Sequence, residues 1–345
     1  MPIVALASAG MDTIADRIDA VAESTGFSGV VRVDSRGVTL FERAYGMAHR
    51  GLGVPNTPRT KFALASGAKG FTALAVMSLV EEGVLELSTT ARSLLGDDLP
   101  LVNDRVTIEH LLAHTSGIGD YLDEGAGGDI LDYAMPVPVH RLSEPEAYLQ
   151  VLDELPLKSV PGEQWAYNNS AFVLLSVLAE RASGRSYYDL VDERVCGPAG
   201  LSDTAFLRSD ELDGNTAVGY LHPEGLRTNV LHMPVRGAGD GGVFSTLADV
   251  HALWQAFADG RIVSPATVAE MVRRRPTSDG EDDDYGLGFW LHPNSDARKL
   301  AGYDPGVSFR SVHQPSTGLM ATVISNTAEG AWPIARLLDG LITTR

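Results

Sequence analysis

The sequence predicts an α+β fold, mixed near both ends of the chain and mostly helical between them. Two observations carry this. Short runs rich in Val, Leu, Ile and Phe, bounded by turn residues, lie near both termini. Helical periodicity and Pro/Gly-rich loops dominate from about residue 85 to residue 236. The economical arrangement is one α/β domain formed from residues 1–84 and 237–345, interrupted by a mostly helical domain at 85–236. Neither an internal repeat nor a low-complexity linker cuts across that scheme.

The elements follow in order. "MDTIADRIDAVAEST" places Ile14, Ile18 and Val21 on one helical face. Two strand-like runs then flank Asp34-Ser35-Arg36-Gly37, a hairpin turn signal. The next helix is "FALASGAKGFTALAVMSLVEEG", with Gly83 as its expected C-cap. Further helices are expected in "TIEHLLAHT", "SEPEAYLQVLDEL" and "NSAFVLLSVLAERASG", the last stopping at Gly184. The stretch from Asp123 to Pro145 is long and irregular, so it is expected to overhang a site. Beyond Gly237, "YGLGFWLH", "GVSFRSVH" and "GLMATVISNT" each read as a short strand, and residues 315–318 separate the last two as a hairpin requires. "AWPIARLLDGLI" reads as a closing helix.

Bulk properties narrow the function. The 345 residues include 27 basic and 45 acidic ones, a net charge of −18. Polyanions need a basic footprint, so neither nucleic acid nor an anionic membrane is the expected partner. The acidic run at residues 281–284 is expected to be a solvated loop. The one cysteine, Cys196, permits no internal disulfide and is expected to be a small buried filler. "MPIVALASAG" carries no basic residue before Arg17 and its apolar run is short for a signal core. No stretch approaches a membrane span. The expectation is a cytoplasmic protein acting on a small molecule.

Chemistry concentrates where an apolar helix begins. Ser66 and Lys69 are three apart, so they share a helix face. A serine hydroxyl needs a base to become a nucleophile, and a lysine amine serves only if its pKa falls. Burial lowers it, by disfavouring the charged form. The first amides of a helix lack internal partners, so the Ser66 N–H is free to donate to an oxyanion. Ser-x-x-Lys alone is common by chance, and serine at a helix start is ordinarily an N-cap. A second string raises its weight. "PGEQWAYNNSAFVLLS" contains Tyr167 and Asn169, about a hundred residues after Ser66. A tyrosine hydroxyl near a lysine relays a proton, and an asparagine amide binds a substrate carbonyl.

With "HLLAHTSGI", "GPAGLSDTAF", "GGVFSTLADVHALW" and "YGLGFWLH", these strings extend along nearly the whole chain. Together they resemble the serine β-lactamase and penicillin-binding-protein-like superfamily, in the branch holding class C β-lactamases, D-peptidases, amidases and carboxylesterases. The resemblance implies a β-lactamase/transpeptidase-like fold, an antiparallel sheet flanked by helices plus a helical domain, with the active site between. It implies acyl-enzyme chemistry with no cofactor and no metal. Ser66 matches the nucleophile, Lys69 its base, Tyr167 the tyrosine of the second motif and Asn169 its polar partner. The third motif departs. The family has Lys or His, a variable residue, then Gly; here the region reads "LAGYDPGVSFRS". Tyr303 is expected near the cationic position, and Gly306 or Val307 as second oxyanion donor, since Pro305 has no N–H. Loss of the cation favours a neutral ester or amide. A β-lactamase, a carboxypeptidase or an acyltransferase with the same residues is the alternative.

Three further features carry less. His110 and His114 have the spacing of a zinc pair, but Leu111 stands where a metalloprotease has its glutamate, so packing is the expected role. "GAGDGG", residues 237–242, lacks the lysine and βαβ context of a phosphate loop and reads as a tight turn. Trp165 and Trp254 are expected in the core, with Trp165 near enough to border the site.

Overall fold

The structure, a computed structural model, describes residues 4–124, 127–275, 277–278 and 281–342, with side chains from residue 14 onward. The extreme ends of the expected α/β domain, and Gly125 and Ala126 of the long loop, lie outside the described residues. Helix α1, Val4–Thr25, precedes a hairpin of β1, Gly29–Ser35, and β2, Val38–Tyr45. Arg36 and Gly37 turn the chain there, both with positive φ, which is the two-residue hairpin geometry that matches strand twist.

Five more strands come from the C-terminal third: β3, Asp284–Tyr285; β4, Trp290–Leu291; β5, Arg298–Asp304; β6, Val307–Gln314; and β7, Leu319–Ser325. The seven form one antiparallel sheet in the order β2-β1-β7-β6-β5-β4-β3. The N-terminal hairpin therefore docks on the C-terminal strand, β1 pairing with β7 from Gly29↔Ser325 to Ser35↔Leu319. The expected "YGLGFWLH" strand is two short strands folded back on each other, with Gly288 at positive φ between them. Strand β5 was not expected as a strand from its own residues.

One face of the sheet carries α1 and the last helix, α5, Trp332–Asp339. Ile14, Ile18, Val31, Val323 and Ile334 form the core between them. A larger core joins the other side of the sheet to α2, Ala68–Glu81, α3, Asn169–Ser183, and α4, Leu247–Ala258. Helix α2 is buried on all sides from Ala68 to Leu79, as expected for a helix that is apolar all round. It ends with Gly83 at φ +71 and the Val84 N–H bonded to the Leu79 carbonyl. Helix α3 ends at left-handed Gly184. No helix among the described residues is long and apolar enough to cross a membrane.

Two expectations need correction. "SEPEAYLQVLDEL" holds only a 3₁₀ turn, Pro145–Tyr148, and one α turn, Leu149–Leu152. The acidic run is not simply solvated: Asp283 binds the buried Lys299 ammonium at 2.8 Å, and Asp284 pairs with Arg274 at 2.6 Å. Desolvated lysine has to be paired, and the run supplies the partner.

Candidate active site

Ser66 occupies a 3₁₀ turn, Ala65–Gly67, that runs directly into α2. Ala65 before it is held at φ +47, a left-handed conformation that a residue with a Cβ rarely adopts and that marks local strain. The turn is pressed onto the sheet. A Cβ on Gly302 of β5 would lie 2.1 Å from the Leu64 carbonyl oxygen, and one on Gly67 would lie 2.6 Å from the Phe309 ring. Only glycine at these two places lets the nucleophile's turn reach β5 and β6.

Lys69, one turn on, is 2% exposed. Its Nζ lies 2.9 Å from Ser66 Oγ, 2.8 Å from Asn169 Oδ1 and 2.9 Å from the Asp240 carbonyl oxygen. The Asn169 amide is oriented by its Nδ2, which donates to the Leu122 carbonyl at 2.8 Å, so Oδ1 faces the lysine. Asn169 Oδ1 and the Asp240 carbonyl can only accept. They take two N–H groups, and a neutral amine then has its lone pair left for the Ser66 hydroxyl proton. Burial pushes the Lys69 pKa down, opposed by the carboxylates of Asp240, Glu124, Asp304 and Asp120.

The Tyr167 hydroxyl is near enough to Ser66 for the serine to bear on its pKa, and its ring lies 4.9 Å from Lys69 Nζ. Burial raises its pKa well above the ordinary phenol value, so it is a neutral phenol. Its ring is sandwiched between His114, 4.5 Å away, and Trp290, stacked at 5.9 Å. His114 Nδ1 accepts from the Asn168 N–H at 3.1 Å, while His110 Nδ1 accepts from the Thr107 N–H in a capping box. Each ring thus has its own structural partner, and His114 packs against the site. Trp165 borders the same cleft, edge-on to His114 and Trp290.

The third motif corrects the expected donor. Asp304 pairs with Val307 across a two-residue turn, Pro305-Gly306, so Val307 N–H belongs to the closing ladder pair. Gly306 stands at the hairpin tip against Gly219 and Tyr220. The alternation leaves Tyr303 with its N–H turned away from β6, toward the edge where Gly302 abuts Leu64. The Tyr303 side chain does not stand in for a cation beside Ser66: its hydroxyl donates to Glu329 at the rim, 2.8 Å away.

The Beta-lactamase family profile matches residues 14–341. The chain belongs to the beta-lactamase family. Members of this family are serine hydrolases. The chain is 27% identical over 310 residues to the putative penicillin-binding protein PbpX of Bacillus subtilis (strain 168), covering 89% of this chain and 72% of that one. It is 36% identical over 209 residues to esterase EstB of Burkholderia gladioli, covering 57% of this chain and 53% of that one. It thus spans only part of these relatives' lengths. A solved penicillin-binding protein from Bacillus halodurans superposes with a TM-score of 0.87 at 32% identity, over 94% of this chain and 99% of that one.

Within this beta-lactamase fold, three carboxyl residues had no role in the sequence reading. Asp120 accepts the Asn169 and Ser170 N–H groups at 3.0 Å each, fixing the start of α3, and burial pushes its pKa up to about 6. Asp240 accepts from the Tyr121 hydroxyl at 2.5 Å and gives Lys69 its carbonyl. Asp304, at the end of β5, lies in the same neighbourhood as Lys69 and Asp240. Asp240 lies in "GAGDGG", Asp304 in "LAGYDPGVSFRS" and Asp120 two residues beyond "HLLAHTSGI", but only the folded chain gives them a common target.

Proposed function

We propose that the chain is a serine hydrolase that cleaves small esters or amides through an acyl-enzyme on Ser66. The observation that carries the reading is the Lys69 amine, held with two N–H groups on acceptor-only oxygens and its remaining valence toward Ser66 Oγ. Ser66 Oγ bonds to the substrate carbonyl carbon while its proton passes to Lys69. The carbonyl oxygen, now negative, rests on the Ser66 and Tyr303 N–H groups. As the carbonyl–leaving-group bond breaks, Tyr167 gives its proton to the leaving group and regains one from Lys69. Water then cleaves the acyl-serine by the reverse relay.

The site draws Ser66, Lys69 and Tyr303 from the expected α/β domain, and Tyr167 and Asn169 from the expected helical one. That distribution supports a site between the two. Preference for an uncharged acyl group over a penicillin-like carboxylate rests on charge. The described residues lining the cleft and cavity around Ser66 include Glu124, Glu281, Asp240 and Asp304 and neither lysine nor arginine. A substrate carboxylate there finds no lysine or arginine among these lining residues to pair with. The similarity to esterase EstB points the same way.

Labelling with a fluorophosphonate tests the nucleophile: wild type is labelled and Ser66→Ala is not. Steady-state assays then compare p-nitrophenyl butyrate with a chromogenic cephalosporin. Turnover of the cephalosporin without turnover of the ester would make the protein a β-lactamase instead.

A further inference from the structure

Beside Ser66 a cavity of about 280 Å³ runs inward, walled by apolar side chains that include Phe62, Met135, Tyr148, Leu212 and Phe244. Two carboxyl residues, Asp240 and Asp304, interrupt that wall. They differ in one respect. The Asp240 carboxyl accepts from the Tyr121 hydroxyl at 2.5 Å. The Asp304 side chain is 8% exposed at the residue level, lines the cavity, and makes no hydrogen bond to any described residue.

A carboxyl group that opens onto a cavity and has no partner of its own is free to meet a donor on a bound molecule. Its place is close to the chemistry. The point where a Cβ on Gly241 would sit is 3.8 Å from Asp304 Oδ2 and 3.7 Å from the carbonyl oxygen of Ala65, the residue before the nucleophile. Gly241 therefore leaves open the crevice between the Ser66 turn and the Asp304 carboxylate. Asp304 also stands within electrostatic reach of Lys69, Asp240 and Glu124. Four carboxyl groups, Asp240, Glu124, Asp304 and Asp120, act on the Lys69 amine. The region is thus rich in carboxyl groups, and the described residues lining the cavity bring no lysine or arginine to pair with them.

We propose that the Asp304 carboxylate, backed by Asp240, seats an ammonium group of the substrate, so that the preferred substrates are amine-bearing esters or amides with an apolar body. This deepens the hydrolase reading and rests on it for the position of the scissile carbonyl. An ammonium of the acyl group lies on Asp304, and the apolar part of the substrate fills the wall of Phe62, Tyr148 and Phe244. Burial and the neighbouring Asp240 push the empty Asp304 carboxyl up to about 8, so at neutral pH it holds a proton. A bound ammonium reverses this, because an adjacent opposite charge favours the carboxylate and charge-assisted hydrogen bonds are the stronger kind.

Two p-nitrophenyl esters of equal size separate the terms: the 3-aminopropanoate, which ends in an ammonium, and the butanoate, which ends in a methyl. Each rate is divided by the ester's own rate in buffer, and the ratio of kcat/KM values is compared between wild type and Asp304→Asn. The wild-type ratio is expected to favour the ammonium ester at least tenfold, and Asp304→Asn to lower it at least tenfold. Asp304→Glu should keep part of the preference. A wild-type ratio near one, or a ratio that Asp304→Asn leaves unchanged, overturns the proposal while the hydrolase reading stands. If neither ester is turned over, the hydrolase reading fails, and the cation seat is judged by binding alone. Propylammonium should then raise the Tm of wild type and not of Asp304→Asn, with 1-propanol shifting neither. Equal shifts by the amine in both proteins overturn it.

Discussion

The backbone carbonyl of Asp240 accepts a hydrogen bond from Lys69 Nζ at 2.9 Å, while the carboxylate of the same residue accepts from the Tyr121 hydroxyl. The lysine is thus met by a neutral acceptor from a residue that could have offered it a charge. A carboxylate at hydrogen-bond distance would stabilise the ammonium, and a carbonyl does so far less. The arrangement favours the amine that a general base needs.

Replacing Lys69 by arginine tests this most directly. A guanidinium is never deprotonated in proteins, so the variant keeps the positive charge and loses the lone pair. Lys69→Arg is expected to lower kcat/KM for p-nitrophenyl butyrate by roughly 10²–10⁴-fold, the usual worth of general acid–base catalysis. Activity within about threefold of wild type would remove Lys69 from the base role.

The Asn169 side chain allows the same point to be made through pH. Asn169→Asp places a carboxylate where Oδ1 now lies, 2.8 Å from Nζ. The wild-type Lys69 pKa is lowered by burial, and kcat/KM rises with pH as the amine loses its proton. An added carboxylate favours the ammonium, so the acid limb of the profile should move to higher pH by about 1 unit or more. A limb that stays in place or moves down contradicts the arrangement.

Gly302 offers a structural test. Its substitution by alanine places a Cβ 2.1 Å from the Leu64 carbonyl oxygen, which is backbone and cannot swing aside. Gly302→Ala should cost about 1–3 kcal/mol of stability, as overpacking does, and should lower kcat because the Ser66 turn is displaced. Denaturant unfolding and steady-state kinetics read the two effects. A variant as stable and as active as wild type would mean that the turn is not held by β5.

These residues also mark how far the sequence could be read. Ser66 and Lys69 were legible because they share one helix start, and Tyr167 and Asn169 because they open another. The hairpins and α3 were legible from turn residues and an αL glycine. The remainder depends on contacts between distant segments. Asn169 and Asp240 meet Lys69 across 100 and 171 residues. Strand β5 was missed because Gly302 interrupts its apolar run, and that glycine answers to Leu64 rather than to β propensity. The same strand's register, invisible in "LAGYDPG", is what moves the outward N–H from Val307 to Tyr303.

Asp304 also makes stability depend on pH. In the unfolded chain its carboxyl titrates near the ordinary 3.8, and in the fold burial raises it to about 8. Between those values the native state holds a proton that the unfolded state has released, so this group lowers stability progressively as pH rises through that window. Asn carries no such proton and has nearly the same shape. The Tm difference between Asp304→Asn and wild type should therefore be near zero at pH 4 and should grow to roughly 2–5 °C in favour of the variant by pH 8. Other carboxyls, Asp120 and Asp240 among them, also titrate with raised values and bend both curves, which is why the difference between the two proteins is the quantity to follow. A variant that loses stability relative to wild type as pH rises would show that the Asp304 carboxylate is stabilised in the fold. It would then have a partner in solution that burial among Asp240, Glu124 and apolar side chains does not provide.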